Sequence, residues 1–237
     1  MTEVLFKGLG VTKGIAIAPL FPLEPAASRK RRSGSPGEEG IALKEALSRA
    51  GSALEQLMQD VGGEAADILE FQVMLLEDDD FLAPVFQLIG DGVEAHDAWT
   101  AVLEKEIAEY QSESEEEEVF TARANDLMDL HERVLDELFG NKPEPNNPCE
   151  PSIVLAKDLP PSRFLEMDLS RIAGIALEEG SRTSHVSLLA RARGLPLIVG
   201  IGAAPRCGSK VTAILDAAEG SLVVNPSALS LSEAKGK

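Results

Sequence analysis

Apolar residues recur along this chain with two alternating periods, and each change of period marks a change of architecture. Residues 3–23 carry short apolar runs, Val4-Leu5-Phe6 and Ile15-Ala16-Ile17-Ala18, set between Gly8, Gly10, Pro19 and Pro22. That pattern predicts strands. From Ile41 the spacing becomes three and four, through Leu43, Ala46, Leu47, Ala50, Leu54, Leu57, Met58 and Val61, which predicts an amphipathic helix ended by Gly62-Gly63. Further helices are predicted over 65–76, 81–89, 95–110 and 119–139, with the acids 77–80 and Gly90-Asp91-Gly92 between them and Gly140 at the close. After residue 150 short apolar runs return. Residues 152–156, 172–177, 197–201, 211–216 and 221–224 read as strands, the last two as a hairpin. One helix, 184–193, falls between the second and third of these, with Leu188, Leu189 and Ala192 on its buried side.

The N-terminal strands have no core of their own, so they are expected to join the C-terminal ones. This organisation predicts an α+β fold: an α/β domain from residues 1–24 and 145–237, with an all-α helical-hairpin domain, 37–140, inserted in it. Segments 25–36 and 141–150, rich in Pro, Ser, Gly and Asn, read as linkers. The first contains Arg29-Lys30-Arg31-Arg32, taken as a solvated connection.

Charge sharpens the division. The net charge is −18, yet residues 37–140 hold 28 of the 40 Asp and Glu and only 5 of the 22 Lys and Arg. So acidic a unit excludes nucleic acid as its partner, because phosphates need the opposite sign. A small basic protein is the natural candidate, and a surface kept acidic for solubility is the alternative. No apolar run approaches the ~20 residues needed to span a bilayer, and the N-terminus does not resemble a signal peptide. Cys149 and Cys207 form neither a disulfide framework nor a metal-ligand spacing. The expected setting is therefore the cytoplasm, with no metal bound by this chain.

The candidate chemistry lies in Gly180-Ser181-Arg182-Thr183-Ser184-His185. Gly180 opens backbone conformations closed to other residues. Thr183 or Ser184 can cap the helix that follows, which places His185 in its first turn, where the dipole favours an anion. Arg182 offsets about one unit of phosphate charge, while Arg191 and Arg193 read as surface residues. A neutral imidazole is a good nucleophile and, once protonated, a good leaving group. The bland reading is a capped helix with an incidental histidine. A Ser-His hydrolase is disfavoured, because neighbours on one helix point apart and no partner acid is evident. His96, beside Trp99, and His131, between Leu130 and Leu135, read as structural.

Gly180–His185, with Ala190-Arg191, Gly194-Leu195-Pro196 and Val199-Gly200, resembles the phosphohistidine signature of the phosphoenolpyruvate-utilising enzymes. Within them Gly8-Leu-Gly-Val-Thr-Lys-Gly14-Ile-Ala-Ile-Ala resembles the N-terminus of enzyme I of the sugar phosphotransferase system. Phe71-Gln-Val-Met74-Leu75-Leu76-Glu77-Asp78 is similar to the segment with which enzyme I docks its phosphocarrier HPr, and Arg123-Ala-Asn-Asp126 to a stretch of a later helix. The resemblance implies a swivelling phosphohistidine domain interrupted by a carrier-docking helical domain. It implies His185 as the phosphoryl acceptor, with Gly180, Arg182, Thr183 and Ser184 around it. It also implies carrier contacts at Met74, Leu75, Glu77, Asp78, Asp79, Asp80, Phe81 and Arg123.

The family's phosphoenolpyruvate- and Mg²⁺-binding barrel would follow the swivelling domain, and this sequence stops at Lys237. Cofactors and dimerisation are thus expected of that absent domain, and phosphoenolpyruvate is not expected to phosphorylate this chain alone. The expected partner is an HPr-like histidine phosphocarrier. The enzyme I-like module of dihydroxyacetone kinase phosphotransferases, a non-catalytic carrier-binding module and a dikinase swivelling domain are the competing readings. Two departures stand out. Ser181 replaces a usual glycine, and Phe164 stands where a hydroxyl residue would steady the active histidine, leaving Ser162 or Thr183 as substitutes.

Overall fold

A computed structural model describes residues 2–23, 33–61, 63–113, 118–140, 147–203 and 211–236. The basic run 29–32, most of linker 141–150, the acidic residues 115–117 and Cys207 lie outside the described residues. The chain divides into two compact units, Met1–Ala27 with Pro145–Leu159 and Met167–Lys237, and Ser28–Glu144 with Pro160–Glu166.

The first unit is built on β1 (Val4–Lys7), β2 (Leu9–Gly10), β3 (Ile15–Pro22), β4 (Ser152–Ala156), β5 (Ile172–Leu177), β6 (Leu197–Val199), β7 (Thr212–Asp216) and β8 (Ser221–Val224). They form one sheet of order β1-β8-β7-β3-β4-β5-β6-β2. β3 to β6 run parallel in succession, whereas β7 lies antiparallel to β3, with Ile17 opposite Ile214. Only Gly8 separates β1 from β2, yet they occupy opposite ends of this order. Phe6 pairs with Leu222 and Leu9 with Val199. The sheet therefore curls until both of its edges meet one N-terminal segment. The approach there is close. The Gly8 N–H donates to Gly220 O at 2.9 Å, and a Cβ on Gly10 would stand 2.0 Å from the Ala217 carbonyl oxygen. The curl wraps a core containing Ala16, Leu20, Ile153, Ala176, Leu215 and Leu222. Thr12 also pins the start of β6, since its hydroxyl donates to Leu195 O and accepts from Leu197 N, both at 2.9 Å.

The second unit comprises α1 (Pro36–Val61), α2 (Gly63–Glu77), α3 (Asp79–Gly90), α4 (Ala95–Glu113), α5 (Glu118–Leu138) and the short α6 (Pro161–Glu166). α1 begins five residues before Ile41, inside the predicted linker. The cause is a capping box: the Ser35 N–H donates to Glu38 Oε2 at 2.7 Å, the Ser35 hydroxyl caps the turn, and Pro36 takes the first helical position. The core gathers Leu43, Leu54, Leu69, Val85, Trp99 and Leu130. Trp99 is fully buried and donates its indole N–H to His131 O at 3.3 Å.

The segment expected to run unbroken from residue 145 starts at Pro145 but is interrupted by Pro160–Glu166, which includes α6 and groups with the helices. Buried Asp129 accepts from Gln72 Nε2 at 3.1 Å, from Ser162 N at 3.0 Å and from the Ser162 hydroxyl at 2.6 Å. A buried carboxylate needs such donors. Arg163 pairs with Asp136 and Arg133 with Glu166 beside it. Periodicity could not reveal a six-residue helix, nor α7 (His185–Ala192) in full detail, nor α8 (Ala228–Lys235), which buries none of its residues and rests on a Ser227 cap.

Two outcomes follow from this packing. Gly10→Ala forces a methyl group onto a backbone carbonyl and should cost about 3 kcal/mol or more in urea unfolding. Burial holds the His131 imidazole below its ordinary range, with Glu104 opposing the shift. The folded chain thus refuses a proton that the unfolded chain accepts. The associated stability is complete above pH ~6.5 and is lost as pH falls through the depressed folded value. The stability of His131→Gln should lack that component of the pH profile as pH falls below neutrality.

Candidate functional site

The crossover from β5 to β6 carries α7, and the loop before α7 collects the hydroxyl-rich motif at the end of a buried strand. Gly180 sits at φ +96°, a conformation L side chains rarely adopt, and lets the chain turn out of β5. Ser184 is the N-cap, in extended conformation, and its hydroxyl accepts from Ser187 N at 3.3 Å. Of the two proposed caps, Ser184 fills the role. The Thr183 hydroxyl instead lies 3.2 Å from that of Ser181. His185, half-buried, is the first residue of α7.

The loop is tied to the helix behind it. The Ser187 hydroxyl, fully buried, donates to Ser181 O at 2.6 Å. Arg191, expected as a surface residue, reaches back from the helix and donates to Arg182 O at 3.4 Å. Arg182 and Thr183 themselves are exposed. Residues 180–194 contain Arg182, Arg191 and Arg193 but no carboxylate. With the positive end of α7 beside His185, the neighbouring Arg182 suits a phosphoryl dianion, whereas Arg191 and Arg193 stand at the far end of the helix. Residues 180–194 themselves offer no carboxylate ligand for Mg²⁺, while Glu178, Glu179 and Asp158 border them.

The buried face of α7 differs from the predicted one. Val186, Ser187, Leu189 and Ala190 are buried, whereas Leu188 is 48% exposed and Ala192 is exposed too. The sheet decides which face of so short a helix is covered. Ser187 was thereby overlooked, since a serine within an apolar stripe carries no signal of its own. The hydroxyl-bearing substitute Ser162 is committed to Asp129, and Phe164 is fully buried. Neither hydroxyl chemistry nor a free side chain remains at those two positions.

In the helical unit the docking candidates separate into exposed and structural groups. Met74 is 62% exposed at the end of α2, and Glu77, Asp79 and Asp80 are exposed beside it. Asp78 caps α3, accepting from Asp80 N at 2.9 Å and Phe81 N at 3.2 Å. Leu75 and Phe81 pack against the bundle core, Phe81 edge-on to Trp99. The Arg123 guanidinium lies 4.0 Å from the Phe71 ring centre and 3.6 Å from Asp126. Elsewhere in this unit Glu94, His96 and Asp97 cluster, but the two carboxylates face opposite ring nitrogens, each at 3.4 Å. One ligand atom from each residue lies within 4.8 Å of the other two. No helix among the described residues is long and apolar enough to cross a membrane.

Comparison with known proteins places these features. Residues 7–123 match the N-terminal family of phosphoenolpyruvate-utilising enzymes, and residues 148–220, which include His185, match their mobile domain. The chain is 31% identical to the phosphoenolpyruvate-protein phosphotransferase of Bacillus subtilis (strain 168), over 98% of its own length and 42% of that protein. It is 32% identical to the multiphosphoryl transfer protein of Xanthomonas campestris pv. campestris, over 96% of its length and 28% of the relative. The chain thus spans less than half of these relatives. The solution NMR structure of an Enzyme I protein superposes with a TM-score of 0.75 at 27% identity, covering 98% of this chain and 97% of that one. The N-terminal domain of Enzyme 1 - Nitrogen shares the fold, with a TM-score of 0.59 at 23% identity and 98% coverage of both chains. By its loop, its inserted helices and these matches, the chain belongs to the phosphoenolpyruvate-utilising enzymes, carrying their N-terminal and mobile domains in the manner of enzyme I.

Proposed function

We propose that this chain relays a phosphoryl group through His185 to and from a histidine phosphocarrier of the HPr type. The observation that carries the reading is the placement of His185 as the first residue of α7, behind the Ser184 cap and within the mobile-domain match. In the transfer a ring nitrogen of His185 attacks phosphorus on the phosphorylated carrier histidine. A new N–P bond forms as the carrier's N–P bond breaks, and the departing imidazole keeps the electron pair. Charge spread over the phosphoryl oxygens meets the helix N-terminus and Arg182. Both partners are imidazoles, so the step runs in either direction.

The acidic helical unit supplies the encounter. Met74 offers an apolar anchor, and Glu77, Asp79 and Asp80 surround it with charge complementary to a basic carrier face. Asp78, Leu75 and Phe81 hold that surface in shape rather than make it. Phosphoenolpyruvate and Mg²⁺ belong, in this reading, to a partner domain; residues 180–194 themselves offer no carboxylate ligand for the metal.

Incubation with phosphorylated carrier should place an acid-labile, base-stable label on the chain, and His185→Ala should abolish it. An unlabelled wild type, or label that persists in His185→Ala, would sink the relay. Neutralising Glu77, Asp79 and Asp80 together to their amides should slow association about tenfold at low ionic strength. Stopped-flow rates of variant and wild type should converge as salt is raised. Equal rates at low salt would remove this surface from the docking site.

A further inference from the structure

We infer that Ser187 is the positioning residue of this site: its buried hydroxyl ties the loop ahead of His185 to α7 and so sets where the imidazole stands. The inference rests on the phosphoryl relay proposed above. Ser187 is fully buried, next to Val186 on the sheet-facing side of the helix. A hydroxyl in that place is costly unless its bonds are made. All of them are. It donates to Ser181 O at 2.6 Å and accepts from the Ser184 hydroxyl at 3.1 Å, while the Ser187 N–H donates to Ser184 Oγ at 3.3 Å. The Ser184 hydroxyl also lies 3.2 Å from Ser181 O. Residues 181, 184 and 187 are thereby joined in one small ring of hydrogen bonds.

The segment closed by the ring, residues 181–187, holds Arg182 and Thr183 on one side of Ser184 and His185 on the other. The other tie, from Arg191 to Arg182 O, is longer at 3.4 Å and exposed, so water competes with it. Ser187 thus supplies the inner constraint on the loop. Its loss has a kinetic rather than a folding consequence. Alanine is the best helix former and keeps the backbone of α7, and the Ser181 carbonyl retains the Ser184 hydroxyl at 3.2 Å when the Ser187 donor is lost. What disappears is the fixed direction of the turn into His185, and transfer between two imidazoles is sensitive to small misplacements. The carrier contacts at Met74, Glu77, Asp79 and Asp80 are untouched by the change.

The test compares S187A, S187C and S187T with wild type in the full 237-residue chain, using phosphorylated histidine carrier as donor in single-turnover transfer. S187A should lower the transfer rate at saturating carrier by about tenfold or more, with the half-saturating carrier concentration unchanged. S187T, which keeps a hydroxyl, should recover most of the rate, and S187C, a similar-sized but weaker donor, should fall between Ser and Ala. Thermal unfolding of each variant shows that it is folded at the assay temperature. A labelled wild type with an equally fast S187A overturns this inference alone, as does a rate loss in S187A accompanied by a matching rise in half-saturation. An unlabelled wild type overturns the relay, and this inference with it.

Discussion

The first unit depends on the close approach of Gly8 and Gly10 to the turn around Ala217–Gly220. Eight strands arranged in a line would leave two edges open to other chains. Here the two-strand run from Val4 to Gly10 pairs with β8 at one end and β6 at the other, so one short segment satisfies both. The cost is space, because no side chain fits between Gly10 and the Ala217 carbonyl. The consequence reaches the functional loop. β6 is held between β5 and β2, and Thr12 grips its start, so the helix that precedes β6 has a fixed exit. Its entry is fixed separately, by Ser184 and Ser187.

A capped helix and a buried serine thus do together what a single orienting side chain would do alone. Phe164, where a hydroxyl is expected, is part of the helical unit's α6 and fully buried. Ser162 gives its hydrogen bonds to Asp129. The loop around His185 is instead organised from within, by serines three residues apart on the first turn of its own helix. That arrangement couples the place of His185 to hydrogen bonds only a few residues long, which makes it local and cheap to fold.

Much of this was legible in the amino-acid pattern, and the parts that were not share physical causes. The helical periods, the short C-terminal strands and the loop-histidine-helix motif are local signals, and each appears in the structure near its expected place. Ser35-Pro36-Gly37-Glu38 was equally local but was submerged in a linker-like composition, so the start of α1 was set five residues late. α6 and α8 are too short for periodicity to register. Pairing of β1 and β2 with opposite ends of one sheet is a long-range fact, written only as glycines at both contact points. Leu188 and Ala192, expected on the buried side of α7, are exposed, while Val186, Ser187 and Ala190 are buried, because the sheet decides which face of so short a helix is covered.

The two units divide the chemistry. One carries the loop with Arg182 and His185 at the start of α7, and the other an acidic, exposed surface around Met74. The central claim is that the first of these holds a phosphoryl group on one imidazole among the chain's three. Phosphorus-31 NMR of the chain treated with phosphorylated carrier, correlated to histidine ring protons, addresses it most directly. A phosphoimidazole resonance that correlates with the His185 ring is the expected result. A resonance assigned to His96 or His131, or none at all, would contradict the account.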